Sequence, residues 1–345
     1  MNILIVGSKE IWAFENHYIK NLMDLNIKVS MYPAQNIFYK YYYKNLVNKL
    51  IHRAGLSKIY DNINKRLLKI VYENNYDIVW IFKGMEIFPD TITKIKDKGC
   101  KVVNFNPDNP FEYTFRGSGN KNVLNSIDKY DLHLCYKMSF KERIENEYHI
   151  SAIWLPFGYE ETEINLPDKY SEIKRVCFIG NPDGHRADII EKLAAEDIPL
   201  DIYGHNWKKW IKPNKKYDIN YYDAVYSNEF NKIAPLYRIQ LNIFRPQNKD
   251  SHNMRTFEMP GLGCIMLAPH SKEHCILFKD KEEAFFYNDF NDLLNKSIEI
   301  LNLTFDEAAV IRKNAIKRCV NSGYSYKNRA KEVVKIFNDI LIPKI

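Results

Sequence analysis

Asp250-Ser251-His252-Asn253-Met254-Arg255-Thr256-Phe257-Glu258, running on through Met259-Pro260-Gly261-Leu262-Gly263-Cys264-Ile265-Met266-Leu267-Ala268, decides how this chain is read. Two carboxylates eight residues apart bracket a His, an Asn and an Arg; a short helix, a glycine break and an apolar strand follow. A helix starting near Met254 to Thr256 points its free N–H groups and the positive end of its dipole at whatever lies before it. That suits a diphosphate, and Glu258, one turn in, then reaches a ribose diol. Together these are the needs of a nucleotide-sugar. The stretch also has a plainer reading, because Arg255 and Glu258 at i and i+3 make an ordinary surface ion pair.

The rest of the chain supplies the context. Strand-like apolar runs, Ile3 to Val6, Lys28 to Tyr32, Ile78 to Phe82, Lys101 to Phe105, Leu132 to Tyr136 and Ala152 to Leu155, alternate with amphipathic segments such as Glu15 to Leu25 and Pro89 to Lys98. This alternation predicts a parallel sheet covered by helices. Gly158 to Glu172 is acidic, carries Pro167 and reads as a linker. A second series then starts with the strand Arg175 to Gly180. It continues through a helix Ala187 to Ala195, a strand Leu200 to Gly204, a helix Ser227 to Tyr237 and a strand Gln240 to Phe244 into the opening stretch. Two doubly wound domains in series, with a cleft between them, follow, and ligands of such sheets bind at the carboxyl ends of the strands.

The loops at those ends carry the polar candidates. Gly180-Asn181-Pro182-Asp183-Gly184-His185-Arg186 closes the first strand of the second series and opens its helix, with Arg186 placed to clamp a phosphate. G-x-G-x-x-G is absent here and after Val6, so this is no dinucleotide fingerprint. Gly204-His205-Asn206-Trp207 follows the next strand and borders the expected base site. In the first series Asn104-Phe105-Asn106-Pro107-Asp108-Asn109-Pro110 faces the expected cleft, and Asp108 is the best-placed carboxylate there to orient or deprotonate an acceptor hydroxyl. Lys83-Gly84-Met85-Glu86 is a weaker candidate for the same surface. Ordinary turn chemistry is the competing reading of all these loops.

Composition narrows the class. A chain of 345 residues, 46% hydrophobic and 27% charged, suits two globular domains. No apolar run approaches the roughly 20 residues of a membrane span. Met1 to Gly7 is too short and lacks the basic leader of a signal peptide, so a cytoplasmic location is expected. The six cysteines are scattered without a C-x-x-C pair, and neither disulfides nor structural zinc are expected. The net charge of +7 is unevenly spread. Lys40, Lys44, Lys49, Arg53, Lys58, Lys65, Arg66 and Lys69 face the single acid Asp61, interleaved with Tyr39, Tyr41, Tyr42, Tyr43 and helix-spaced apolar residues. Residues 39–69 therefore read either as contact with an anionic membrane, at the inner face of the cell membrane, or as helices packing on a sheet with solvated lysines outside. Nucleic acid is not expected, since no recognised binding motif accompanies the charge.

On these residues the chain resembles the two-domain GT-B glycosyltransferases, and more narrowly the group-1 type that includes the spore-maturation (CgeB-like) proteins. The resemblance rests on Val176-Cys177-Phe178-Ile179-Gly180-Asn181 followed by Arg186, on Ile202-Tyr203-Gly204 followed by Trp207, and above all on Arg255-x-Phe257-Glu258 with Gly261 to Leu267. It implies an α/β GT-B fold of two doubly wound Rossmann-like domains facing across a cleft. Residues 1–160 would bind the acceptor, 161–325 the nucleotide-sugar donor, and a helix in 326–345 would cross back to the first domain. Asp250 and Glu258 occupy the two acidic positions of the Glu-x7-Glu motif of retaining members, which implies ribose binding by Glu258 and sugar contact by Asp250. The shorter Asp250, and Ser251-His252-Asn253 where Gly-Phe-Gly is usual, are departures from that motif. The implied donor-binding set is Gly180, Asn181, Arg186, Tyr203, Gly204, His252, Asn253, Arg255 and Glu258, with Asp108, Asp250 and Arg255 catalytic. The implied activity is sugar transfer from a nucleotide-diphosphate donor to a glycan or lipid-linked acceptor in cell-surface polysaccharide synthesis. It is expected to proceed with retention, without metal and without a cofactor, Arg186 and Arg255 stabilising the departing diphosphate. A GT-B-fold nucleotide-sugar epimerase and a catalytically silent glycan- or partner-binding member are the alternatives.

Overall fold

Ile78–Phe82 (IVWIF) is buried at every position, as a parallel strand covered on both faces must be. Around it the computed structural model, which describes residues 1–10, 13–113, 117–245 and 249–342, builds the first of two compact units. Unit 1 comprises Met1–Pro156 and the segment from Tyr326 onward; unit 2 is Phe157–Ser325.

Unit 1 has strands β1 (Asn2–Val6), β2 (Lys28–Tyr32), β3 (Ile78–Phe82), β4 (Lys101–Asn106), β5 (Leu132–Cys135) and β6 (Ala152–Trp154). They form one sheet, β2-β1-β3-β4-β5-β6, in which every neighbouring pair is parallel. Helices α1 (Glu15–Asp24), α2 (Ala34–Tyr42), α3 (Leu46–Arg53), α4 (Ile59–Glu73), α5 (Pro89–Asp97), α6 (Lys121–Asn125) and α7 (Met138–Arg143) connect them. The chain order reverses between β1 and β3, which makes the loops after these two strands the switch point of the sheet.

Unit 2 has β7 (Ile173–Ile179), β8 (Leu200–Tyr203), β9 (Ile219–Tyr222), β10 (Tyr237–Leu241), β11 (Met266–Pro269) and β12 (Phe285–Tyr287), in the parallel order β12-β11-β10-β7-β8-β9. Counted from its own first strand, this is the 3-2-1-4-5-6 order of a dinucleotide-type sheet, with its switch point between β7 and β10. Its helices are α8 (Gly184–Ala195), α9 (Trp207–Trp210), α10 (Ser227–Ile233), α11 (Arg255–Gly261), α12 (Lys272–Leu277), α13 (Phe290–Asn302) and α14 (Phe305–Asn321). The last helix, α15 (Tyr326–Leu341), is part of unit 1, where Tyr326 stacks on His17 of α1 at 4.3 Å and Phe337 meets Trp80 edge-on at 5.2 Å.

One predicted boundary moves. The helix expected over Ser227 to Tyr237 ends at Ile233, a single 3-10 turn carries Ala234–Leu236, and Tyr237 already opens β10. The strand is therefore Tyr237–Leu241, not Gln240 to Phe244. Arg238 and Gln240 disguise it, because both are polar yet fully buried. Their partners explain how: Arg238 donates to the Glu172 carboxylate at 2.5 and 3.0 Å, and Gln240 Nε2 to the Ala234 carbonyl at 2.8 Å. Among the described residues, no helix is long and apolar enough to cross a membrane.

Candidate active site

The loops after β7 and β8 touch, and two glycines permit it. Gly204 has φ +154°, and a Cβ there would lie 2.2 Å from the Gly180 carbonyl oxygen. That same carbonyl accepts the Trp207 indole N–H at 2.8 Å. Gly180 and Gly204 thus let the loops after β7 and β8 meet backbone to backbone beside the switch point. Tyr203 does not face outward from it: its hydroxyl bonds to Tyr237 Oη at 2.8 Å, Tyr237 donates to Asp201 at 2.8 Å, and its ring stacks on Tyr222. Its side chain is held by this buried chain.

Asp183 caps α8 by accepting the Arg186 N–H at 3.0 Å, which places Arg186 in the first turn. The Arg186 guanidinium folds across the switch point. Nε and Nη2 donate to the Ile243 carbonyl beyond β10, Nη1 donates to the Asn181 carbonyl at 3.0 Å, and the plane lies over the Phe178 ring. Asn181 thereby contributes its backbone. Burial pulls the Arg186 pKa down to about 10; Asp183 opposes this, while the charges of Arg245 and Arg255 act in the same direction as burial. Three cations therefore share one field: Arg186 after β7, Arg245 after β10 and Arg255 on α11.

The start of α11 is built differently from the sequence expectation. Asn242 and Asn253 exchange two amide hydrogen bonds, at 3.0 and 2.8 Å, tying the end of β10 to the helix start. Asn253 Oδ1 also accepts the Thr256 N–H at 3.1 Å, and the Phe257 and Glu258 N–H groups donate to the Met254 carbonyl. These three amides are engaged at the start of the seven-residue helix, and the side-chain cations that meet at the switch point are Arg186, Arg245 and Arg255. Asn253 is a cap and tether. His252 is fully buried, with Nδ1 2.6 Å from Glu273 and Nε2 3.4 Å from the Phe157 amide. Glu273 also accepts the Ser251 hydroxyl at 2.7 Å, and the ring of His252 is accordingly a support beneath the loop.

Arg255 and Glu258 form the i, i+3 pair, Nη1 to Oε2 at 2.6 Å, and the guanidinium lies 3.9 Å from the centre of the Phe230 ring. Each keeps about a quarter of its side chain exposed, 30% and 24%. The ion pair therefore exists, but on a stacked and half-covered arginine beside two further cations. Asp250 is exposed, with φ +60°, in the turn before the helix. Arg245 and Phe230 were not among the sequence candidates. A cation just beyond the carboxyl end of the fourth strand of the sheet was the available signal for Arg245.

In unit 1, Asp108 follows β4 and pairs with Lys83, Oδ2 to Nζ at 2.6 Å. Asp108 N–H donates to Asn106 Oδ1 at 3.0 Å. Lys83 itself follows β3 with φ +61°. Beside it Glu86 is buried, and burial pushes its carboxyl up to about 7 despite the opposing charge of Lys83. Glu15, at the first turn of α1, accepts the Ser8 N–H at 2.7 Å and is likewise raised by burial. Glu15 escaped the sequence reading because nothing in its neighbourhood marks it as buried.

Residues 186–335 match the model of a family described as glycosyl transferase-like. No curated protein matches by sequence. Among solved structures, a glycosyltransferase from Rickettsia africae ESF-5 is similar with a TM-score of 0.65 at 13% identity, over 99% of this chain and 98% of that one. Trehalose-6-phosphate synthase is similar at 0.66 and 10%, over 98% and 99%. Anabaena Alr3699/HepE, in complex with UDP, is similar at 0.64 and 9%, over 98% and 100%. The fold is GT-B, and the enzyme class is glycosyltransferase.

For a glycosyltransferase, the arrangement in unit 2 has clear chemical meaning. Clustered guanidinium groups in a partly dry setting stabilise charge that grows on a departing phosphate. Among the described residues, no group of three or more His, Cys, Asp or Glu side chains is placed to hold a metal ion.

Proposed function

We propose that this glycosyltransferase moves a sugar from a nucleotide-diphosphate donor to a glycan or lipid-linked acceptor in cell-surface polysaccharide synthesis, in the cytoplasm at the inner face of the cell membrane. The observation that carries the donor side is the convergence of Arg186, Arg245 and Arg255 beside Glu258 at the switch point of a 3-2-1-4-5-6 sheet. In this reading the diphosphate lies among the arginines and Glu258 accepts from the ribose hydroxyls. Asp250 contacts the sugar. The donor's C1–O bond breaks as negative charge grows on the β-phosphate oxygen, which Arg186 and Arg255 neutralise without a metal. The acceptor oxygen forms the new bond at C1 on the same face, and its proton goes to the departing phosphate oxygen. Asp108 orients the acceptor hydroxyl.

The Asp250/Glu258 spacing supports retention, and a similar fold occurs in a synthase studied for glycosyltransfer with retention. The UDP complex of Anabaena Alr3699/HepE makes a uridine donor the first to test. The ordered motifs from Val176 to Leu267 support the narrower kinship with the spore-maturation (CgeB-like) proteins.

A panel of nucleoside diphosphates tested by thermal shift and calorimetry examines the donor assignment, since a ligand bound to the native state raises its stability by mass action. One nucleotide should stabilise the protein, and Glu258→Ala should abolish that shift while leaving the unliganded melting temperature in place. Absence of any nucleotide effect sinks the donor site. NMR of the product anomer tests retention, and an inverted product overturns it.

A further inference from the structure

Helix α3 in unit 1 is amphipathic in an unusual sense, because its apolar side faces outward. Asn45 caps it by accepting the Asn48 N–H at 2.8 Å, so the helix is well defined. It is held to the body by His52, whose ring meets Phe38, Tyr42 and Tyr60 at 4.9 to 5.5 Å, and by Asn48 Nδ2 donating to the Tyr41 carbonyl. No residue of α3 is fully buried. Leu46, Val47 and Leu50 are 74%, 60% and 63% exposed, and Tyr43 and Leu56 beside the two helix ends are 61% and 74% exposed. Leaving this much contiguous aliphatic surface in water is a cost that a soluble helix normally avoids.

The charge around the patch points to what covers it. Lys44, Arg53 and Lys58 are exposed on the segment, Lys49 lies over the Tyr43 ring at 5.0 Å, and Asp61 is the only acid from Lys40 to Lys69. A second copy of the chain would bring like charges against each other across a two-fold contact. Phosphate backbones would engage the lysines but leave Leu46, Val47 and Leu50 in water. An anionic bilayer satisfies both parts: acyl chains take the leucines and valine, and headgroups take the lysines.

We propose that α3 is a membrane-docking helix that inserts Leu46, Val47 and Leu50 into the headgroup boundary of an anionic bilayer, with Lys44, Lys49 and Arg53 at the phosphates. This deepens the placement at the membrane face and does not depend on the reaction assigned to the protein.

The test is cosedimentation of the full chain with vesicles of phosphatidylglycerol and phosphatidylcholine, against phosphatidylcholine alone. Binding is expected only with the anionic lipid and should weaken as salt is raised. Burying one leucine is worth roughly a tenfold change, so Leu46→Ser with Leu50→Ser should weaken binding about 100-fold. Lys44→Glu with Arg53→Glu should weaken it by at least about tenfold. All four side chains are exposed, so both variants should melt with the wild type and bind donor nucleotide equally well without vesicles. Equal binding to both vesicle types, no binding, or full binding by the Leu46/Leu50 variant overturns the proposal. A dimer in solution that dissociates in that variant would show instead that a second copy covers the helix. Loss of nucleotide binding with vesicle binding intact would count against the donor site and leave the docking helix standing.

Discussion

The two units are built on the same plan, an all-parallel six-stranded sheet with one reversal of strand order, yet their switch points carry opposite chemistry. In unit 2 the loops after β7 and β10 and the start of α11 bring together Arg186, Arg245 and Arg255. In unit 1 the loops after β1, β3 and β4 bring together Glu15, Glu86 and Asp108, with Lys83 as the facing cation. The sheet edge is indifferent to charge; it only offers loop ends that converge. The difference lies in what each set must meet. Fixed guanidinium groups suit a ligand that is always anionic, whereas carboxylates, one of them raised to about 7, suit hydroxyl groups and protons.

If the cationic end is the donor end, removing charge there should have the largest effect. Arg255→Ala should lower kcat/KM for the nucleotide-sugar by about 10²–10³-fold, roughly 3–4 kcal/mol, comparable with the loss of one transition-state donor elsewhere. Asp108→Asn should leave nucleotide affinity unchanged and act on acceptor turnover. Steady-state kinetics and nucleotide calorimetry on the two variants check the contrast. Equal loss of nucleotide affinity in both would erase the division between the units.

Next in size is the backbone contact between the loops after β7 and β8. Gly204→Ala forces a side chain into φ +154° and against the Gly180 carbonyl. The loops after β7 and β8 must then separate, at a cost of about 2–4 kcal/mol in urea unfolding. Gly99, with φ +98° but nothing near its Cβ position, is the control. Gly99→Ala carries the strain without the collision and should cost about 1–2 kcal/mol. Equal losses at the two positions would mean that the contact between the loops does not matter.

These contrasts also explain what the sequence disclosed. The apolar run located β3 because it is buried on two faces and contains nothing else, and Val102, Val103 and Phe105 located β4 although Asn104 and Asn106 are buried beside them. β10 was displaced because Arg238 and Gln240 lie within it, and the satisfaction of Arg238 depends on Glu172, 66 residues before it. The exposed two-residue rhythm of β9, Ile219–Tyr222, gave no apolar run to detect. At the site, Arg186 and Arg255 were legible from their loops. That Asn253 and His252 are tethers was not, since their partners, Asn242 and Glu273, are set by tertiary packing. Glu15 was obscure for the same reason, and Glu86 stood out only as part of a weaker candidate loop: a carboxylate's burial is a property of the fold.

The last of these contrasts tests the acidic end directly. Glu86 titrates at about 7 in the folded protein against 4.5 unperturbed, because burial penalises its charge. Folding therefore binds a proton between these values. The associated stability is fully present below about 4.5 and is lost as pH rises through about 7, by an amount on the order of 3 kcal/mol. Glu15 shifts in the same sense. The buried imidazoles act oppositely: His133, lowered to about 4, and His274, lowered to about 3, withdraw stability as pH falls below 6.5. The wild-type profile mixes both trends, but subtracting it from that of Glu86→Gln cancels the histidines, which lie on other elements. The difference should grow in favour of the variant from pH 5 to pH 8. A flat difference would mean that Glu86 stays charged throughout, held by Lys83, and the acidic end would then be as fixed in charge as the arginine cluster of unit 2.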